Sequence, residues 1–176
     1  MIQRLFLLLT LAVAASGCTS FGPEYSEVCE EISQVDESVA RIVVLRKGAD
    51  VIYMGRSTPI EVNDQKVASC PRGAFVYFDV EPKPFKLSVE TWDYPGECAL
   101  MVTPEAGKTY YFEARPREES LSGIPGAALP TELWVVYEAV TMAADSVGEG
   151  CKGMFSIQPI SPYLAERELL KLRLAE

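Results

Sequence analysis

The sequence predicts a mainly β protein, a single antiparallel β-sandwich with a short C-terminal helix. Apolar residues between Arg41 and Ala114 alternate or run in short β-branched blocks, as in strands with one or two buried faces. Turn signals at Asn63-Asp64, Pro82-Lys83-Pro84, Pro95-Gly96 and Ala106-Gly107 recur at short, regular spacing, the rhythm of a sandwich. Ser161-Pro162 then reads as the cap and first turn of a helix running to about Leu174. The length of 176 residues suits one domain with a real core.

Taken in order, residues 18–39 are polar and acidic and read as a tether, with a loose helical stretch around Glu27 to Ile32. The domain is expected over 40–176. Ile42-Val43-Val44-Leu45 is apolar on both faces and predicts a buried strand. Ile60 and Val62 alternate with polar residues before Asn63-Asp64, and Val67 leads to Cys70, which together predict a hairpin. After Gly73, Val76, Phe78 and Val80 share one face and Phe75 and Tyr77 the other.

The clearest alternation follows, with Phe85, Leu87, Val89 and Thr91 inward and Lys86, Ser88 and Glu90 toward water. Pro95-Gly96 is expected to turn the chain into an inward row of Cys98, Leu100 and Val102. Thr109 to Ala114 adds a strand in which Tyr110 and Tyr111 face opposite ways, one to the core and one to the surface. Residues 116–130, rich in Gly, Pro and charge, read as a long exposed loop. Leu133 to Val140 fits a strand or a buried helix, and Phe155 to Pro159 a last strand. Tyr163, Leu170 and Leu174 give the C-terminal helix its apolar stripe.

Chemistry is sparse. The chain has no His, which removes Ser-His and Cys-His nucleophile pairs and His-metal sites. No Ser stands three residues before a Lys. Glu30-Glu31 and Glu118-Glu119 are adjacent carboxylates of the kind that usually form a solvated face. Gly148 to Gly153 matches G-x-G-x-x-G, yet the residues after it are strand-like and broken by Pro159, so no helix N-terminus awaits a phosphate. The formal charge of −9 and the absence of a basic patch argue against nucleic acid as a partner. No catalytic set, cofactor, nucleotide or metal is expected, since no two Cys have the C-x₂₋₄-C spacing of a zinc site.

The N-terminus is more specific. Arg4, an apolar run from Leu5 to Ala15 and the small residues Ala15-Ser16-Gly17 precede Cys18, the order of a secretory signal. The run is too short for the roughly 20 residues that span a bilayer. Cys18 resembles the lipobox cysteine of bacterial lipoproteins, which implies cleavage before it, removal of residues 1–17 as signal peptide, and acylation (palmitate and related chains) of its sulfur and new N-terminus. The competing site is the Ala12-Val13-Ala14 triplet, which would release a soluble protein starting at Ala15. Loss of Arg4 takes the formal charge to −10, one below the precursor's −9. Thr19, where Asp would signal retention, implies the outer membrane and a domain facing the periplasm.

With Cys18 acylated, Cys29, Cys70, Cys98 and Cys151 form an even set in an oxidising compartment, and two disulfides are expected. Three pairings are open. Cys70 with Cys98 and Cys29 with Cys151 is favoured, the first joining neighbouring strands and the second tying the N-terminal segment to a loop.

A further resemblance rests on the order Ala40-Arg41-Ile42-Val43-Val44, Ile60-Glu61-Val62-Asn63, Lys66-Val67-Ala68, Gly73-Ala74-Phe75-Val76-Tyr77 and Glu105-Ala106-Gly107-Lys108-Thr109-Tyr110-Tyr111-Phe112. It resembles a family of bacterial lipoproteins whose domain carries only a domain-of-unknown-function label, which implies a prealbumin (transthyretin)-like sandwich and no inherited activity. Glu81-Pro82-Lys83-Pro84, the four extra Cys and 116–130 depart from that pattern. The expectation is a non-enzymatic, membrane-anchored envelope lipoprotein, a binding or accessory module for another envelope component, with Trp92 and Tyr94 at a strand end as candidate partner-binding residues. The alternative is a small periplasmic enzyme inhibitor or defence factor acting through Ser120 to Leu129.

Overall fold

A computed structural model describes residues 21–48, 57–91, 94–116 and 154–175. Two sheets stack around a core between them, and two helices cover the outer face of the larger sheet over a second core. The strands are β1 (Phe21–Glu24), β2 (Ala40–Arg46), β3 (Thr58–Val62), β4 (Gln65–Cys70), β5 (Ala74–Val80), β6 (Phe85–Thr91), β7 (Tyr94–Val102), β8 (Thr109–Pro116), β9 (Phe155–Pro159) and β10 (Arg173–Ala175). The helices are α1 (Tyr25–Ser33) and α2 (Pro162–Leu169). The six-stranded sheet has the order β1-β10-β5-β2-β8-β9 and the four-stranded sheet β4-β3-β6-β7.

Period-two alternation explains the layers. Ile42 and Val44 of β2 point between the sheets, to Ile60, Val76, Leu87, Leu100 and Phe112. Val43 and Leu45 point the other way, to Tyr25, Ile32, Phe75, Ala165 and Leu169 beneath the helices. This central strand is apolar on both faces because it serves two cores. Phe85, Leu87 and Val89, with Cys98, Leu100 and Val102, face inward as the alternation predicts.

The sandwich is not purely antiparallel. β2 pairs with β8 and β10 with β5 in parallel, since the chain crosses to the smaller sheet between β2 and β8 and returns over α2 before β10. The C-terminal helix stops at Leu169, and residues 173–175 are a strand instead of its last turn. Its buried residues are Ala165 and Leu169, whereas Tyr163 and Leu170 are 74% and 68% exposed. Ser161 caps it as predicted, accepting from the Leu164 N–H at 3.4 Å.

Residues 21–39 are not a tether. β1 pairs with β10, and α1 buries Tyr25 and Ile32 against the sheet. Pro95 and Gly96 lie inside β7 and not in a turn, for Thr91 already pairs with Tyr94. Ser88 is fully buried where a wet face was expected; it lies on a central strand between Glu61 and Ala99 of the flanking strands. Tyr110 and Tyr111 do face opposite ways, but each is half-buried in one of the two cores, so neither is a surface residue.

Arg41 fastens α1 to the sheet. Its guanidinium makes two bonds to the Asp79 carboxylate at 2.7 and 2.8 Å. It also donates to the carbonyls of Glu31, Ile32 and Gln34 at 2.6, 3.1 and 3.2 Å, closing the C-terminal end of the helix. Tyr77 lies under the fork with its ring centre 5.2 Å away and donates from its hydroxyl to Glu31 Oε1 at 2.6 Å.

Candidate functional site

Strand directions give the sandwich two distinct ends. At one end lie the Asn63-Asp64 turn and the 81–84 connection, and between them opens a cleft of about 280 Å³. Val62, Val67, Phe78, Val80 and Phe85 form its walls. The β3–β4 hairpin turns through Asn63 and Asp64 at φ 50° and 64°, the left-handed conformation that these residue types tolerate and a tight hairpin demands. Asn63 is held to β6, donating to the Lys86 carbonyl at 2.9 Å and accepting from the Lys86 N–H at 3.0 Å. Lys86 Nζ bridges Asp64 and Glu97, the latter at 2.8 Å, and these bonds push its pKa up.

The rim charges are neutralised within the protein. Asp79 is taken by Arg41 at 2.7 Å, and Glu81 pairs with Lys83 at 2.5 Å, which holds its carboxyl below the usual range. Pro82 and Pro84 flank Lys83 and stiffen the connection. An apolar cleft with paired ions at its mouth suits a hydrocarbon group and offers an ionic ligand little. Its volume falls at the small end for a whole ligand. Val67, 46% exposed, stands at its mouth; the sequence places Val67 only in a hairpin and carries no signal for the cleft.

The cysteines correct the two-disulfide expectation. Cys29 and Cys70 are free, so neither Cys70–Cys98 nor Cys29–Cys151 forms. Cys98 is disulfide-bonded, to a partner outside the described residues. Cys70 lies under the sheet with its thiol toward the Ala74 carbonyl at 3.4 Å, and burial pushes its pKa up to about 12. Cys29 is half-buried on α1, its thiol donating to the Ser26 carbonyl at 3.6 Å.

Tyr94 opens β7 at the end of the sandwich opposite the cleft. Trp92, Cys18, Cys151, Glu118-Glu119, the 148–153 glycine motif, the 133–140 segment and the 116–130 loop beyond Pro116 lie outside the described residues. Of Glu30-Glu31, Glu31 is engaged by Tyr77. Among the described residues, no three His, Cys, Asp or Glu side chains gather as metal ligands, and no helix is long and apolar enough to cross a membrane. No family model, curated protein or solved structure matches the chain.

Proposed function

We propose that this chain is a lipoprotein of the outer membrane, anchored through acyl chains on Cys18 and facing the periplasm, where it serves as a non-enzymatic binding or accessory module. The observation that carries this reading is the run from Arg4 through Leu5–Ala15 to Ala15-Ser16-Gly17-Cys18. The position of the first strand supports it. β1 starts at Phe21, three residues after Cys18, so the domain would sit directly on the bilayer. More than one acyl chain makes such attachment stable, at about 0.8 kcal/mol per buried CH₂.

The prealbumin-like type remains part of the proposal. Two stacked sheets support it; in that reading the mixed six-stranded sheet and the two helices would be elaborations of the plan. The anchor would leave at the cleft end, since β1 runs antiparallel to β10 and Phe21 pairs with Ala175. The Thr91–Tyr94 pair closes β6 and β7 at the other end, away from the membrane in this reading, and Trp92 and Tyr94 remain the proposed contacts for an envelope protein.

Density-gradient fractionation tests the anchor: wild type should travel with the outer membrane and Cys18→Ala should not. A photo-crosslinking amino acid at position 92 or 94 should trap one envelope protein, and labelling no protein from either position would reject the accessory role.

A further inference from the structure

The cleft lies where an anchored chain would deliver hydrocarbon. β10 pairs with β5 only at Ala74 and Phe75, leaving the edge of Val76–Val80 without a strand among the described residues. Phe21 pairs with Ala175, and Leu174 with Phe75, so Phe21 stands about level with Val76. The lateral offset is two strand spacings, about 10 Å. Three residues from Phe21 reach about 10 Å as well. Phe78 and Val80 turn from that bare edge into the cleft, and Val67 stands at its mouth.

We propose that the cleft walled by Val62, Val67, Phe78, Val80 and Phe85 holds part of an acyl chain carried by Cys18 of the same molecule. The inference rests on the lipoprotein reading above. Three features select this occupant: the walls are apolar, the rim carboxylates are already paired with Arg41 and Lys83, and Cys18 stands only three positions before the first residue of β1. The volume of about 280 Å³ receives a stretch of hydrocarbon, not a whole lipid. One chain would tuck into the domain while the others enter the bilayer, fixing the domain's tilt on the membrane. The cleft would be filled before a free apolar ligand could enter.

The test is intramolecular photo-crosslinking in cells fed a diazirine-bearing palmitate, followed by membrane extraction of the full mature protein and peptide mapping. The expected result is the label at Cys18 with cross-links to peptides containing Val62–Val67 or Phe78–Phe85. Val67→Asp, a change at an exposed position on the mouth, should reduce those cross-links at least fivefold without lowering the label on Cys18. Tyr163→Ala, on the exposed side of α2, should leave them unchanged. Label on Cys18 with cross-links only to phospholipid, to another protein or to α2 would overturn the inference and leave the anchor standing. No acyl label on Cys18 would overturn the lipoprotein reading beneath it.

Discussion

Arg41→Met removes the fork that joins α1 to the sheet while keeping most of its volume. The loss has two parts. Asp79 loses a two-bond partner, but its side chain is 37% exposed, so water recovers part of its solvation and the cost falls from the 3–5 kcal/mol of a fully buried pair to about 1–2. The carbonyls of Glu31, Ile32 and Gln34 lose the donor at the helix end, for about another 1–2 kcal/mol. Urea denaturation, with both proteins in the same detergent, should show a loss of about 3 kcal/mol at unchanged m-value. That is a large share of a typical domain's stability. A cycle with Asp79→Ala should give a coupling of about 1–2 kcal/mol, and Arg41→Lys should recover only part of the loss because an ammonium lacks the fork. A loss under about 0.5 kcal/mol, or no coupling to Asp79, would refute the argument that this residue fastens the helix.

Other outcomes are open to direct measurement. Alkylation without reductant should find two thiols: Cys29 should react in the native protein, whereas Cys70, raised to about 12 by burial, should react only after unfolding. With Cys18 acylated, peptide mapping should assign the disulfide to Cys98 and Cys151, and a bond from Cys98 to Cys70 would contradict the structure. Ser161→Ala should cost about 1 kcal/mol by loss of the α2 cap, read by the same denaturation. The Asp36 carboxylate accepts from the Ser38 hydroxyl and N–H at 2.5 and 2.7 Å, which depress its folded pKa. Its contribution to stability is therefore full above the unfolded value of about 4 and lost as pH falls through the lower folded value. Asp36→Asn should flatten stability against pH in that acid range.

Local rules brought much of the fold within reach of the sequence. The double-sided run Ile42–Leu45, the alternation Phe85-Leu87-Val89 and the Ser161-Pro162 helix start are each set by neighbours a few residues away. Helix α1 was legible only as a loose helical stretch around Glu27 to Ile32, because nine residues are marginal as a helix alone and its docking on the sheet is not written locally. Its support comes from Arg41 and, through it, from Asp79, 38 residues beyond Arg41. β10 is three residues long, and its parallel pairing with β5 depends on the whole course of the chain. The cleft combines a hairpin with the β5–β6 connection, far apart in sequence, so no local pattern announced it. The disulfide reading went wrong because an even count fixes no pairing, and it left no place for the fully buried thiol of Cys70.

The claim on which the functional account turns is that the mature chain begins at an acylated Cys18, three residues ahead of the first strand. Mass spectrometry of the N-terminal peptide from membrane-extracted protein measures this directly. The account predicts a peptide starting at Cys18 with its sulfur and amino group acylated. An intact precursor, or an unacylated chain starting at Ala15, would contradict it.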